Sequence, residues 1–363
     1  MKVLDFIREN ENWEELLERK PYCLKIKRDD GYIMFSYNQL ESDFYNPIVR
    51  ECRGLIVDEA TMKPVCVPFF KFGNYGEGYV PDIDWATARV QEKVDGSLMK
   101  VWHHNGRWRL STNNTIDAFK CPLGLVDFLK MDCPYETFGD LFYDAAVHSC
   151  LDLGVLDKSN TYMFELVSPY NKVVVNYEFA EIYHIGTRNN ETLEEMVVDI
   201  GVKKPKEYPL HTLDECVDAA SKLTFNEEGY VVVDGNWNRV KVKSPAYVAV
   251  HHLKGNDGIN IKGVLDLIKN NELDEFITYF PEYKNAVEDI KGKVDAIISE
   301  LTDGVDELSR KEYESQKEFA LDVKNRQFSG FYFLWRKNGI EPKSWLWGNE
   351  TKKIRDWVLE AWK

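Results

Sequence analysis

The sequence predicts an α+β fold, in which antiparallel strands with interspersed helices are followed by an all-α C-terminal domain. Two observations support this prediction. Between about residues 21 and 250, short β-type runs are punctuated by Gly and Asn turns. Beyond that region the apolar residues are spaced by threes and fours, most clearly from Val287 to Leu308, as one face of a helix requires.

The first predicted element is an amphipathic helix over residues 1–20, which ends before Pro21. Asn105-Gly106 between two apolar runs predicts a β-hairpin. A helical insertion is expected over 123–151. The candidate strands are 32–37, 54–57, 98–102, 108–110, 173–175, 181–185 and 230–233.

A Gly-Asn-Asp-Gly segment at 255–258 predicts a linker, so we expect two domains, 1–253 and 254–363. The C-terminal domain begins after every candidate catalytic residue, which suggests a separate module for substrate selection. It is rich in tryptophan, and we expect these side chains to form a packed helical core, with a base-stacking platform as the alternative. The tryptophans are Trp335, Trp345, Trp347, Trp357 and Trp362.

The chain of 363 residues has a formal charge of -15, which argues against a protein that coats nucleic acid by broad phosphate neutralisation. Any nucleic-acid contact must therefore be a local basic patch. Seven cysteines without a Cys-x-x-Cys pair favour a reducing compartment and offer no zinc site. No apolar stretch approaches a membrane span and the N-terminus lacks a signal-peptide core, so we expect a cytoplasmic protein.

The segment Lys93-Val94-Asp95-Gly96-Ser97 is the most informative motif of the chain. A lysine is a nucleophile at neutral pH only where nearby cations or desolvation lower its pKa. By itself the motif is explained better by an exposed hairpin turn. Further along the chain, Glu165 and Glu228 each lie in an apolar strand-like run, where an unpaired carboxylate is costly and needs a partner.

Four segments in this order resemble motifs I, III, IV and V of the covalent nucleotidyltransferases, the superfamily of DNA ligases, RNA ligases and mRNA capping enzymes. They are Lys93-x-Asp95-Gly96, Phe164-Glu165, Glu228-Gly229-Tyr230-Val231 and Lys241-Val242-Lys243. The continuation Ser-Pro-Ala-Tyr-Val at 244–248 is similar to the bacteriophage RNA ligase 1 group, of the T-even phage type. So are Glu-Cys-Arg-Gly at 51–54 and the run 68–74.

This resemblance covers about residues 50–250 and implies an ATP-grasp-like nucleotidyltransferase domain of antiparallel sheets with helices. It implies that Lys93 attacks ATP and holds AMP as a phosphoramidate. Lys241 and Lys243 alternate on a predicted strand, so both ammonium groups face the same phosphate and lower the pKa of Lys93. Glu228 is the first candidate for binding Mg²⁺ or Mn²⁺, and Glu165 is expected to bind ribose or metal, with a structural salt bridge as the alternative.

Further residues acquire roles from the same resemblance. Arg53 and Lys71 would grip the β and γ phosphates of ATP, although Arg53 fits a structural ion pair equally well. Asp95 would order its loop or accept a hydrogen bond from a lysine, and Gly96 would let the backbone approach the nucleotide. Tyr247 would support the nucleotide site from nearby.

Two segments leave questions open. Residues 182–188 occupy the place of the motif that sandwiches the adenine, and Tyr183, Ile185 or Thr187, expected on one face, would touch the base. Residues 110–114 read Leu-Ser-Thr-Asn-Asn, whereas the phage group has a Lys-Gly-Ser-like sequence there. That departure puts contacts from this hairpin to the RNA ends in doubt.

The function implied is that of an ATP-dependent RNA ligase, which joins 5′-phosphate and 3′-hydroxyl RNA ends. The expected cofactors are ATP and Mg²⁺ or Mn²⁺, the expected partner is RNA, including broken tRNA, and the expected state is a monomer. A DNA ligase or a capping enzyme is the first alternative, but a helical tail does not suit either, because both usually carry a β-barrel there. A nucleotide-binding scaffold without turnover is the alternative from another class.

Overall fold

A computed structural model describes residues 1–38, 41–124, 126, 131–247, 254–255, 258–259, 261–270, 273, 277 and 281–360. The chain divides into two compact units, Met1–His251 and His252–Lys363. Among the described residues, no helix combines the length and apolar composition that crossing a bilayer demands.

Strands dominate the first unit. In chain order they are β1 (Leu24–Asp29), β2 (Tyr32–Tyr37), β3 (Arg53–Asp58), β4 (Pro64–Cys66), β5 (Arg89–Glu92), β6 (Ser97–His104), β7 (Arg107–Thr112), β8 (Asn160–Val167), β9 (Glu181–Asn189), β10 (Glu195–Met196), β11 (Glu207–Tyr208), β12 (Gly229–Val233) and β13 (Arg239–Lys243). They form three antiparallel sheets with the orders β1-β2-β3-β4, β10-β9-β8-β6-β7 and β11-β5-β12-β13. The predicted mixture of antiparallel sheets and helices is confirmed.

Helices cover one face of each sheet in this unit. They are α1 (Lys2–Glu9), α2 (Trp13–Glu18), α3 (Pro47–Glu51), α4 (Phe138–His148) and α5 (Leu213–Ser221). The largest core lies between α4 and the five-stranded sheet, with Leu141, Phe142, Phe164 and Leu166 at its centre. A second core joins α1 to β2 and β3, and a third lies between α5 and the sheet that contains β12.

Several predicted elements differ from the structure. The first helix breaks into α1 and α2, because Asn10 ends α1 in an extended conformation and its side-chain amide donates to the Phe6 carbonyl at 2.7 Å. The segment 173–175 is not a strand, since the backbone N–H groups of Val174 and Val175 donate to the Asp95 carboxylate instead. Of the insertion 123–151, the regular helix is α4, and residues 125 and 127–130 lie outside the described part. The Asn105-Gly106 hairpin is present, with φ of 51° and 76°.

The described part of the second unit consists of a short antiparallel pair and helices. The pair is β14 (Lys254–Gly255) with β15 (Gly258–Ile259), where the sequence predicts a linker. The helices are α6 (Ile261–Asn270), α7 (Lys284–Ser309), α8 (Gln316–Val323), α9 (Ser329–Asn338), α10 (Pro342–Trp347) and α11 (Thr351–Glu360).

The long helix α7 buries the predicted apolar stripe, including Val287, Val294 and Leu301. Trp345 and Trp357 stack with ring centroids 5.4 Å apart, and both contact Phe328. These contacts favour core packing over an exposed base-stacking platform for the two rings. Trp362 and residues 248–253 lie outside the described part.

Candidate active site

Lys93 lies at the junction between two sheets. It follows β5 and precedes β6, and these strands belong to different sheets, so the motif is not a hairpin turn. The backbone N–H of Lys93 donates to the Gly229 carbonyl at 2.9 Å, which fixes the nucleophile beside the start of β12. The ammonium group thus lies next to the side chains that begin β12 and end β13.

Glu228 joins two of the predicted lysines. One carboxylate oxygen accepts from Lys93 Nζ at 2.6 Å, and the other lies 3.3 Å from Lys243 Nζ. The register of β12 and β13 places Glu228 beside Lys243, because Gly229 pairs with Lys243 and the Glu228 carbonyl accepts from the Ser244 N–H. Glu228 is 5% exposed, whereas the adjacent Glu227 is exposed, as expected, although both residues precede β12.

The pKa of Lys93 lies above the ordinary lysine value in this structure. Burial lowers it, but the nearby carboxylates of Glu228, Glu165 and Asp95 outweigh burial and favour the ammonium form. The expectation that neighbouring cations lower the pKa of Lys93 is therefore wrong for this arrangement.

Lys241 shows the lowered pKa that was expected for the nucleophile. Burial is the main cause of a value well below normal, and repulsion from Lys71, Lys93 and Arg53 adds to it. Lys241 makes no ion pair with any described residue, and its Nζ lies 4.8 Å from the centroid of the Phe72 ring. An anion brought to this ammonium group would favour its charged form.

Arg53 and Lys71 each lie beside an aromatic ring. The Arg53 guanidinium lies 5.5 Å from the Phe72 ring centroid, and one of its buried nitrogens has no hydrogen-bond partner. Lys71 is 8% exposed, with its Nζ 4.9 Å from the Phe44 ring, and burial lowers its pKa. Neither residue forms an ion pair in the part of the chain that the structure describes, so the structural ion pair considered for Arg53 is not found there.

Glu165 on β8 carries a carboxylate with no hydrogen bond or ion pair among the described residues. Burial raises its pKa to about 7, and the Lys93 ammonium opposes this rise. The structural salt bridge is therefore absent from the described contacts. Glu165 pairs across the sheet with Leu98 on one side and Tyr183 on the other, which places it on the strand beside the nucleophile loop.

Asp95, Gly96 and Tyr247 are bound to the protein itself in this structure. The Tyr247 hydroxyl donates to Asp95 at 2.6 Å, and the other oxygen of Asp95 accepts from the Val174 and Val175 N–H groups at 2.8 and 2.7 Å. A Cβ at Gly96 would clash with the Leu166 carbonyl, so the close approach at this glycine is to β8. These residues hold the Lys93 loop in place.

The adenine-motif strand contains an irregularity that separates its three candidates. The β8–β9 register shifts between Met163 and Phe164, opposite Ile185. As a result, Tyr183 and Ile185 pack with Val94, while Thr187 binds the ring of His184 at 2.9 Å. The expectation that all three share one face is wrong, because the irregularity breaks the alternation of the strand.

The candidate site residues all lie within one segment that matches a known protein family. The sequence profile of the RNA ligase family, of the T4 type, matches residues 51–247, which is more than half of the chain and contains every candidate site residue. The chain belongs to the bacteriophage RNA ligase 1 family. The resemblance drawn from the motifs is thereby confirmed.

Relatives of this family member include two viral proteins. It is 31% identical over 299 residues to a putative bifunctional polynucleotide kinase/RNA ligase of Autographa californica nuclear polyhedrosis virus, with 76% of this chain and 41% of that protein covered. It is 26% identical to an RNA ligase of Rhodothermus phage RM378, with 90% and 89% covered. The chain thus spans less than half of the first relative's length and most of the second's.

Among solved structures, an RNA ligase of Naegleria gruberi with PPi is similar at 17% identity and a TM-score of 0.35. The similarity covers 46% of this chain and 52% of that one.

Sequence reasoning missed Lys100 in this RNA ligase family member. Lys100 on β6 is fully buried, and its Nζ donates to the Gly54 carbonyl at 2.5 Å. Burial lowers its pKa to about 8, and repulsion from Arg53 contributes to that shift. A signal was present, because Lys100 interrupts the apolar run 98–102, just as Glu165 interrupts its own strand.

A buried ionic network was missed as well. Glu195 on β10 bridges Arg188 on β9 and Arg239 on β13, so it ties two sheets together. The Arg188 side chain also donates to the Pro68 carbonyl at 2.9 Å. No local sequence pattern marks these partners, because the network depends on how the sheets meet.

Proposed function

We propose that this chain is an ATP-dependent RNA ligase that joins 5′-phosphate and 3′-hydroxyl RNA ends. The observation that carries the proposal is a group of three cations without ion pairs among the described residues, Arg53, Lys71 and Lys241, around the Lys93–Glu228–Lys243 network. A polyphosphate supplies the negative charge that such a group lacks.

The reaction would proceed in three displacements. The Lys93 amine attacks the α-phosphorus of ATP, and the bond to pyrophosphate breaks. An oxygen of the RNA 5′-phosphate then attacks the same phosphorus and releases the amine, which leaves AMP joined to the RNA end through a pyrophosphate link. Finally, the 3′-hydroxyl of the second RNA end attacks the 5′-phosphorus, loses its proton and expels AMP.

Glu228 and Glu165 are the side chains that would hold Mg²⁺ or Mn²⁺. The fit is supported by Glu165, whose carboxylate is without a partner among the described residues, so that burial raises its pKa to about 7. No three His, Cys, Asp or Glu side chains cluster in the described part, so phosphate oxygens and water would complete the coordination. When bound, the ion would neutralise charge on the phosphates and draw Glu228 away from Lys93.

The test of the proposal is a reaction with α-labelled ATP, a divalent ion and 5′-phosphate RNA. Label should appear first on Lys93, then on the RNA end and then as free AMP, with ATP preferred over GTP. A capping enzyme would prefer GTP, and a DNA ligase would join a nicked DNA duplex faster than RNA.

Arg53 and Lys71 are predicted to act in the first step, because the β and γ phosphates that they would bind leave as pyrophosphate when Lys93 is adenylylated. The variants Arg53→Ala and Lys71→Ala should lose about 100-fold in joining 5′-phosphate RNA with ATP, as expected for loss of one charge-stabilising group. They should join pre-adenylylated RNA nearly normally. Equal losses in both assays, with an unchanged exposed-site variant Lys63→Ala, would show a structural role instead.

The C-terminal helical region is proposed to select the substrate, including structured RNA such as a broken tRNA. The support is that the compact unit His252–Lys363 follows all the candidate site residues. A truncation that ends near residue 252 should still form the Lys93–AMP adduct and should lose its preference among RNA substrates. A folded, soluble truncation that does not react with ATP would contradict this role.

The proposed setting is a reducing cytoplasm, in a host cell if the protein is viral, and the proposed state is a monomer. The seven cysteines are all free thiols, which is consistent with such a compartment.

A further inference from the structure

The first unit contains a cavity of about 820 Å³, and Lys71 and Phe72 are among the residues that line it. Its volume lies in the range of ligand sites, roughly 300–1,000 Å³. Besides these two residues, the side chains that matter here are Arg50, Tyr79, Arg188 and Trp237. The cavity therefore shares Lys71 with the proposed active site, and it includes Arg188 from the far end of the adenine-motif strand.

The charge of this cavity is opposite to that of the protein. Arg188 and Arg239 share the single carboxylate of Glu195, and one buried nitrogen of Arg188 has no hydrogen-bond partner. Arg50 and Lys71 form no ion pair within the described residues. In a chain with a formal charge of -15, such a positive cavity selects an anionic ligand.

The cavity also presents an aromatic ring on a fixed loop. Trp237 has a φ of 63°, which is unusual for a residue other than glycine. The conformation is held by Asp234, whose carboxylate accepts from the Asn236 and Asn238 N–H groups, both at 2.9 Å. A half-buried indole held in this way, together with the Tyr79 ring and the cations, is suited to a nucleotide.

The geometry of the displacement at the α-phosphorus indicates which nucleotide this cavity binds. In an in-line displacement, the Lys93 amine and the departing pyrophosphate lie on opposite sides of the α-phosphorus. When Lys93 is itself displaced, the RNA 5′-phosphate must arrive from the side that pyrophosphate left. Arg53 and Lys71 are the residues proposed to bind the departing phosphates, and Lys71 lines the cavity.

We therefore infer that this cavity holds the terminal nucleotide of the 5′-phosphate RNA strand, with its base against Trp237. This assignment rests on the proposed RNA ligase function and specifies one of its substrate sites. The 3′-hydroxyl strand would bind elsewhere, because it attacks only after the adenylylated end is in place.

The test compares the two RNA ends in the full chain. In joining reactions between two separate oligonucleotides, Trp237→Ala should raise the KM for the 5′-phosphate strand about tenfold, the size expected for loss of one stacked base. The KM for the 3′-hydroxyl strand should change less than about twofold, and Trp237→Phe should restore the first KM. Tyr143→Ala, an exposed aromatic far from this lining, is the matched control.

A cross-linking experiment gives an independent readout. A 4-thiouridine at the first position of the 5′-phosphate strand should cross-link to peptides containing Trp237 or Tyr79, and one at the end of the 3′-hydroxyl strand should not. A rise in only the 3′-hydroxyl KM, or no change in either KM, would overturn the assignment while leaving the ligase function intact. Wild-type protein that forms no Lys93–AMP adduct would instead overturn the proposed function and this site together.

Discussion

Replacing Lys93 by alanine is expected to abolish covalent labelling by α-labelled ATP and leave the fold intact. The motif assigns the phosphoramidate nitrogen to Lys93. Of the two lysines on β13, Lys243 lies 3.3 Å from Glu228, and Lys241 lies 4.8 Å from the centroid of the Phe72 ring. Lys93→Arg should be equally inactive, because a guanidinium remains protonated and does not attack. The measurement is acid-labile label on the protein after gel separation, with peptide mapping of the wild type.

The matched control is Lys206→Ala, which removes an exposed lysine and should label normally. Thermal unfolding should show that Lys93→Ala is folded, since its loss leaves Glu228 paired with Lys243 alone. Wild-type-like labelling of Lys93→Ala would refute the assignment of the nucleophile.

Replacing Glu228 by glutamine is expected to slow formation of the Lys93 adduct by 100-fold or more, the loss typical of one charge-stabilising group. The reason is loss of the proposed metal ligand. The pKa of Lys93 should fall at the same time, because Glu228 is the strongest of the carboxylates that raise it. The slow reaction should therefore reach half of its maximal rate at a lower pH than in the wild type.

Single-turnover rates of labelling, measured up to pH values above the ordinary lysine pKa of about 10.4, report both effects. Glu227→Gln is the control at the exposed neighbouring position. A normal rate in Glu228→Gln would remove Glu228 from the site. A slow rate with an unshifted pH profile would show that the 2.6 Å contact with Lys93 does not govern the nucleophile.

The sequence by itself determined the chemistry-bearing residues and their order. Glu165 and Glu228 were recognisable because a carboxylate interrupts an apolar strand-like run, where it is costly without a partner. Lys93, Lys241 and Lys243 were recognisable from their motifs and the order of those motifs along the chain. Most of the strands were predictable for a related reason, since alternation and Gly or Asn turns are local signals, as at the Asn105-Gly106 hairpin.

The tertiary structure decided which of these charges meet. Lys93 and Glu228 are 135 residues apart, and the pairing of β5 with β12 brings them together. Their contact raises the pKa of Lys93, opposite to what clustered lysines alone suggest. The same packing made 173–175 a loop bound to Asp95, since that carboxylate takes its backbone N–H groups. The Arg188–Glu195–Arg239 network was out of reach because burial and partner choice depend on how separate sheets pack.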